Sequence, residues 1–311
     1  MSPASNRMLH DRGAMLQNVR TFFYENNVLE VDCPLLSHFA PIDEHIDLFE
    51  VKIDETRKGY LHSSPEYGMK RLLSTQIGAI YQLSHVYRKG EAGIKHSPEF
   101  TLIEWYRPGF SFENFMEEVL SLTSLFLGEL PSSYLTYRRA FELYTGIDYK
   151  KASSATLIEK IESYGIAPET NEKEALLNIL WGCVIEPKLG NQNITVITNY
   201  PPEQAALAKI STIDGEEVAE RFEIYVNGME LGNGYHELTD PIEQKRRLHE
   251  SNEKREKRGK ENLPIDTHFL KALEKGIPDS YGIAIGFDRL MMLRHQVKNI
   301  SDVLPFSWHE S

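Results

Sequence analysis

Apolar positions along the chain follow two periods. Met8, Met15, Val19, Phe22 and Phe23 recur at near-helical spacing and predict an amphipathic helix over 6–26. "VLEVDCPLL" (28–36) is apolar and extended, and Pro34 bars a helix there. "IDLFEVKI", "IGAIYQLSHVYR" and "EFTLIEWY" predict strands. "SSPEYGMKRLLS" (63–74) predicts a helix start, with a Ser cap, Pro at the first helical position and Glu after it. Residues 111–128 predict an apolar helix, and 150–190 a helical segment of mixed polarity, read as an insertion. "ITVITNYP", "ERFEIYV" and "MELGNGY" return to strand character. A charged helix over 240–260 follows, and "YGIAIGFDRLMMLRH" predicts a strand running into a helix. Strands that cluster rather than alternate with helices predict an α+β fold with a mostly antiparallel sheet.

The 311 residues fit one large domain or two modest ones, and 41% hydrophobic residues supply a substantial core. A formal charge of −12 argues against broad binding to nucleic acid, whose phosphates reward Lys and Arg, though it leaves room for a local basic patch. Cys33 and Cys183 match no metal-ligand spacing and read as ordinary buried thiols of a reducing compartment. The start lacks the apolar run of a secretory signal, and no apolar stretch reaches the ~20 residues of a membrane span. A soluble, cytoplasmic protein is expected.

Candidate chemistry begins with three glutamates at equal steps in "EIYVNGMELGNGYHELTD": Glu223, Glu230 and Glu237. Asn227-Gly228 is a two-residue hairpin signal, which places Tyr225 opposite Glu230. Glu223 and Glu230 then become diagonal neighbours on one face, about 7–8 Å apart. Two bare charges at that distance repel by roughly 2 kcal/mol, and a Mg²⁺ ion between them reverses the sign. Solvated surface acids on a hairpin are the competing reading. Glu237 lies an odd number of residues beyond Glu230, so a bend at Gly232–Gly234 is needed to bring it to the same side.

In "HSPEFTLIEWY" alternation places Phe100, Leu102, Glu104 and Tyr106 on one face, with Thr101, Ile103 and Trp105 on the other. A half-buried strand with Glu104 in water fits the same pattern. Arg88 ends the preceding strand, and an Arg fork beside an aromatic face suits a phosphate and a base. Gly282 and Gly286 permit close approach to the backbone, by a ligand or by a packed neighbour, and Arg289 follows at a strand-to-helix junction. The run "KRRLHESNEKREKRGKEN" (245–262) reads as a solvated helix laced by i,i+4 pairs, with a protein or RNA contact as the alternative.

Taken in order, "VLEVDCPLL", "YRKGE…HSPEFTLIEWY", "MELGNGYHE" and "GIAIGFDR" resemble the motif series of class II aminoacyl-tRNA synthetase catalytic domains, lysyl-tRNA synthetases above all. The resemblance runs from about residue 6 to the C-terminus. It implies Mg-ATP lying over an antiparallel sheet of six or seven strands flanked by helices. By the same resemblance Arg88 holds the α-phosphate, Phe100 stacks on adenine, His96 and Ser97 lie near the nucleotide, and Arg289 clamps the γ-phosphate. Glu223 and Glu230 would hold Mg²⁺, and Leu231 and Gly286 would give backbone contacts to ATP. Glu66, following Ser64 and Pro65, would bind an amino group. Glu104, Tyr106, Asn233 and Glu237 would form the pocket for a lysine-like ammonium.

The family's second motif normally reads Arg-x-Glu, whereas Arg88-Lys89-Gly90 precedes Glu91 here. Backbone groups of Lys89 and Gly90, or a shifted Glu91, are expected to replace the missing contact. The first motif begins near residue 6, which leaves no room for an anticodon-binding OB domain, so residues 1–311 are expected to form a single catalytic domain. In this the chain resembles the free-standing lysyl-synthetase paralogues, the elongation factor P (R)-β-lysine ligases. Ala284 and Ser64 stand where lysyl synthetases carry Gly and Ala. An extra methyl in a close pocket is worth ~1–3 kcal/mol of discrimination, which suits a choice of β- over α-amino acid, although neutral drift explains it equally. The resemblance implies ATP-dependent activation of (R)-β-lysine as an acyl-adenylate, transfer to a lysine of elongation factor P, and a homodimer. The alternatives are a minimal enzyme charging tRNA with lysine, a catalytically silent regulatory paralogue, and a relative that forms a free amide with ammonia.

Overall fold

A computed structural model describes residues 6–308 and residue 310; the expectation about a secretory signal falls partly on residues 1–5, which lie outside the described residues. The chain divides into two compact units, residues 1–128 with 236–311 and residues 129–235.

The first unit opens with α1 (Asn6–Glu25), whose buried positions Met8, Arg12, Met15, Val19 and Phe23 recur every three or four residues, as the sequence predicts. Phe23 stacks on Tyr81 at 4.2 Å and meets Trp105 edge-on at 5.4 Å. There follow β1 (Leu29–Glu30), β2 (Leu36–Ser37), β3 (Phe49–Lys52), β4 (Lys58–Leu61), α2 (Glu66–Leu73), β5 (Ile80–Tyr87), β6 (Glu99–Pro108) and α3 (Phe112–Leu127). β5 pairs with β6 antiparallel and with β1 parallel, and β2, β4 and β3 form a small separate sheet.

The start of α2 departs from expectation. Pro65 takes the cap position, so it is not the first helical residue, and no side chain caps the helix. The Ser64 hydroxyl instead accepts from the Glu66 amide at 3.0 Å and donates to Glu104 at 2.7 Å. One hydroxyl thus serves both the first helical amide and a carboxylate on β6.

In the second unit come β7 (Ser132–Thr136), α4 (Tyr137–Thr145), α5 (Ser154–Ser163), α6 (Lys173–Leu180), a π turn at Trp181–Ile185, β8 (Ile194–Tyr200), β9 (Ile210–Ile213), β10 (Glu216–Val226) and β11 (Met229–His236). β11, β10 and β8 are antiparallel in that order, β7 joins β8 in parallel, and β9 pairs with β10. Tyr137 and Trp181 stack at 4.4 Å in this unit's core.

The chain then returns to the first unit with α7 (Pro241–Lys257), α8 (Thr267–Lys275), β12 (Ser280–Gly286) and α9 (Phe287–Arg294). β12 lies antiparallel to β6. Leaving aside the small β2–β4–β3 sheet, four strands in the first unit and five in the second exceed the six or seven expected, because β1 spans only two residues and β9 pairs only with the early part of β10. The α+β, mostly antiparallel character holds, with one parallel pair in each unit.

The structure adds β4, β7, β9, α4 and α8 to the elements expected; the two helices bury Tyr137, Ala140 and Phe141, and Phe269, Leu270 and Leu273, at helical spacing. Cys33 is buried as expected, whereas Cys183 is exposed. Asp266 caps α8 by accepting from His268 and Phe269. The charged run splits in two. Arg246 and Arg247 pair with Glu243 on the exposed face of α7, but Arg255 is buried and donates to the Asp43, Ile46 and Glu261 carbonyls. Among the described residues no helix is long and apolar enough to cross a membrane.

Candidate active site

In the first unit, antiparallel pairing sets Glu104 opposite Ala284 on one side and Gln82 on the other, with Tyr106 opposite Gly282. Alternation therefore places Glu104, Tyr106, Gly282 and Ala284 on one sheet face, as expected. Glu104 is buried, not solvated. Its carboxylate accepts from the Tyr106 hydroxyl and the Ser64 hydroxyl, both at 2.7 Å. Glu66 stands one turn before Lys70 on α2, and the Lys70 ammonium lies 2.6 Å from Glu66 Oε1 and 2.5 Å from Glu237 Oε2. Gly282 is required by packing within the protein: a Cβ there would lie 2.5 Å from both Glu237 Oε1 and the Tyr106 ring.

Three carboxyl groups thus surround one internal ammonium. Burial, then the Glu66 charge, pushes the Glu104 carboxyl up to about 8 against its hydrogen bonds from Tyr106 and Ser64. Burial also raises Glu237 to about 7, with Lys70 opposing the rise and Glu66 adding to it. Burial alone would lower the Lys70 pKa, but the charges of Glu237 and Glu66 more than reverse this. Fully ionised, the cluster keeps two negative charges without a partner, so it suits a ligand that brings two ammonium groups.

Lys70 was not foreseen. Its signal is the Glu66–Lys70 spacing, which on a helix normally describes a surface pair. Glu237 converts that spacing into a buried bridge, and nothing in the local sequence announces it.

The first unit also carries the residues expected to meet a nucleotide. The Arg88 guanidinium carbon lies 5.0 Å from the Phe100 ring centroid, and Arg88 Nε is buried with no hydrogen-bond partner. An orphaned guanidinium N–H beside an aromatic face is a ready anion site. Gly90 adopts φ +84°, a left-handed conformation that favours glycine. The Lys89 amide donates to the Asp47 carbonyl and the Gly90 carbonyl accepts from Ala92, so these groups are engaged in the turn. Glu91 lies 3.9 Å from Arg88, which favours the shifted glutamate over those two backbone groups as the replacement.

Ser97 is buried, and His96 Nε2 meets Arg289 at 2.9 Å. An arginine only donates, so that ring nitrogen accepts and His96 is neutral. Desolvation first and the Arg289 charge second lower its pKa accordingly. Asp288 anchors the start of α9 by accepting from Arg12 at 2.5 Å and the Thr101 amide at 2.6 Å, which fixes the stem of Arg289. At Gly286 a Cβ would meet only Arg289 atoms at 3.6–3.7 Å, so protein packing does not demand glycine there.

The second unit holds Glu223, Glu230, Leu231 and Asn233. The hairpin at Asn227-Gly228 forms with Val226 opposite Met229 and Tyr225 opposite Glu230, as expected. The register then shifts by one residue, so Ile224 faces Gly232 and Glu223 faces Asn233. Leu231 is the extra residue, placed just before the expected bend. This bulge resets the alternation and brings Glu230 and Asn233 onto the face of Glu223 and Tyr225.

Glu223 is buried and accepts from Arg221 and Tyr200, both at 2.5 Å, and from Tyr225. Trp181, in the π turn, donates to Tyr225 at 3.0 Å. Arg221 also donates to Asn233 at 3.1 Å. Alternation along Arg221, Glu223 and Tyr225 was the available signal for this network. Glu223 and the half-buried Glu230 set carboxylate oxygens on one face, hard donors of the kind Mg²⁺ takes. Among the described residues no cluster of three or more His, Cys, Asp or Glu side chains suits a metal, so a cation here would complete its shell with other oxygens.

Comparison with known proteins finds a matching family and similar chains. A family model described as tRNA synthetases class II (D, K and N) matches residues 1–310. A curated relative from Avibacterium paragallinarum, named elongation factor P--(R)-beta-lysine ligase, is 42% identical over 310 residues, covering 98% of this chain and 96% of the relative. Proteins of the same name from Actinobacillus succinogenes and Salmonella arizonae are each 40% identical over 312 residues, with the same coverage.

Proposed function

This chain belongs to the class II tRNA synthetase family of the D, K and N type, and on that premise we propose that it is an ATP-dependent, AMP-forming ligase that attaches (R)-β-lysine to a lysine of elongation factor P. The observation that carries the substrate class is the cluster of Glu66, Glu104 and Glu237 around Lys70, two charges short of neutrality when fully ionised. A diamino acid supplies those charges. The names of the relatives support (R)-β-lysine and elongation factor P. No observation favours tRNA charging, and the intact set of Arg88, Glu223, Glu230 and Arg289 speaks against a silent paralogue.

In the first step the substrate carboxylate attacks the α-phosphorus of ATP, forming an acyl-phosphate bond as the bond to pyrophosphate breaks. Arg88 meets the charge that develops on the α-phosphate, Phe100 supports the adenine, and Arg289 holds the γ-phosphate end. His96 and Ser97 lie near the nucleotide, and Leu231 and Gly286 supply backbone contacts. Mg²⁺, assigned to Glu223 and Glu230, would screen phosphate charge. Ser64, Pro65 and Glu66 position one amino group of the substrate, while Glu104, Tyr106, Asn233 and Glu237 receive the other. Alignment of the two substrates supplies much of the rate. In the second step the acceptor lysine, as a free amine, attacks the acyl carbon; an amide forms and AMP leaves.

ATP–pyrophosphate exchange with α-lysine, (R)-β-lysine and (S)-β-lysine side by side tests the reading, followed by transfer to elongation factor P and to tRNA. Exchange fastest with α-lysine and transfer to tRNA alone would overturn it. Ala284 stands directly across from Glu104 and is half-exposed on the pocket face. Ala284→Gly is expected to improve α-lysine exchange by about tenfold relative to (R)-β-lysine. Unchanged selectivity would remove Ala284 from the specificity argument.

The same reading includes a cytoplasmic location, one synthetase-like catalytic module with 150–190 as a helical insertion, and a homodimer formed through the first motif. Tyr24 is 83% exposed and Leu29 51% exposed beside that motif, apolar surface suited to a partner copy. Sedimentation at assay concentration should give a dimer, and a monomer alone would contradict this.

A further inference from the structure

We propose that Lys70 is a positioning and specificity-determining residue: its buried ammonium fixes Glu66 and Glu237 and sets the unbalanced charge of the pocket at two, the charge of a substrate with two ammonium groups. The inference rests on the reading of the pocket as a diamino-acid site. Lys70 has a side chain only 1% exposed, as has Glu237. A buried ion pair is a poor stabiliser compared with apolar packing, so its presence here calls for another use. The Lys70 ammonium donates to Glu66 from its own helix and lies 2.5 Å from Glu237 Oε2 on the segment after β11, a charge contact. Glu104 is held differently, by the neutral hydroxyls of Ser64 and Tyr106. The pocket therefore has three acids and a single built-in cation.

Without that cation the acids would take up protons to relieve their mutual repulsion, and a protonated acid cannot balance an ammonium. Lys70 opposes that uptake at Glu237 and holds the Glu66 and Glu237 side chains in place. A substrate with one amino group would leave a buried charge unpaired, which penalises monoamino analogues. The other titratable groups around the cluster are Tyr67, Tyr106, Cys33 and His236. Burial raises both tyrosines, and burial followed by the Glu104 charge raises Cys33 to about 11. His236 pairs with Asp279 and adds a positive influence on Glu237. Between about pH 6 and 9 the groups of the cluster that titrate are thus the Glu104 and Glu237 carboxyls.

The test compares wild type with Lys70→Met, which keeps side-chain volume and removes the charge. Exchange kinetics with (R)-β-lysine are measured across that pH range, ATP affinity by calorimetry. Lys70→Met is expected to raise the KM for the diamino acid about fiftyfold, with kcat within about fivefold and ATP affinity within about twofold. The acid limb of kcat/KM should move to higher pH by about one unit, because acids that lose their cation ionise later. A merely structural role would move ATP affinity and KM together and leave the profile in place. Unchanged KM and profile beside an active wild type would remove Lys70 alone, whereas a wild type that exchanges with no diamino acid would remove the reading beneath it. If Lys70→Met fails to fold, Lys70→Ala with n-butylammonium decides: recovery with the amine and not with n-butanol supports the charge role. Equal recovery with both, or with neither, overturns it.

Discussion

Glu237→Gln is expected to raise the KM for the diamino acid by about a hundred- to a thousandfold while changing ATP affinity less than about twofold. Glu237 is buried, with one oxygen on Lys70 and the other where a Cβ on Gly282 would collide. Glutamine keeps the volume, so Tyr106 and Gly282 can hold their packing. What goes is the charge that balances Lys70 and the substrate ammonium. Removing one partner of a buried pair costs about 3–5 kcal/mol, because the other charge stays buried and uncompensated. Steady-state exchange gives the KM, and calorimetry gives ATP binding. Equal losses of both would show that Glu237 supports the fold at large and does not serve the amino-acid pocket.

Arg88→Met is expected to act on rate. The Arg88 Nε is buried without a partner, and the guanidinium lies over Phe100. Methionine preserves contact with the ring and deletes the charge. Loss of a preorganised donor at a developing anion costs about 2.7–4 kcal/mol, a factor of about 10²–10³ in kcat. The KM for the diamino acid should stay within a few-fold, since Arg88 is assigned to the phosphate and not to the amine. Single-turnover adenylate formation measures the step, and a loss below tenfold would end the assignment of Arg88 to the α-phosphate.

These two variants separate what was legible in the chain from what was not. Arg88 and Phe100 were readable because each follows from a strand end and a strict alternation, both local properties. The hairpin at Asn227-Gly228 was readable for the same reason, and its first two pairings hold. The bulge at Leu231 was not. It depends on how β10 and β11 settle against each other, and it decides that Glu230 and Asn233 share a face. Ser64 looked like a helix cap because Ser before Pro-Glu normally is one, yet its hydroxyl serves Glu104, forty positions along the chain.

By itself the sequence determined the α+β character, most of the longer elements, the order of the four motifs and the residue types offered to a nucleotide and an amino acid. Periodicity and turn chemistry act over a few residues, so they survive without the fold. The tertiary structure alone decided protonation and pairing: that Glu104 is buried, that Lys70 bridges Glu66 to Glu237, and that Arg221, Tyr200 and Tyr225 hold Glu223. Desolvation and Coulomb coupling depend on distances between residues far apart in the chain, and those distances exist only once the segments have packed.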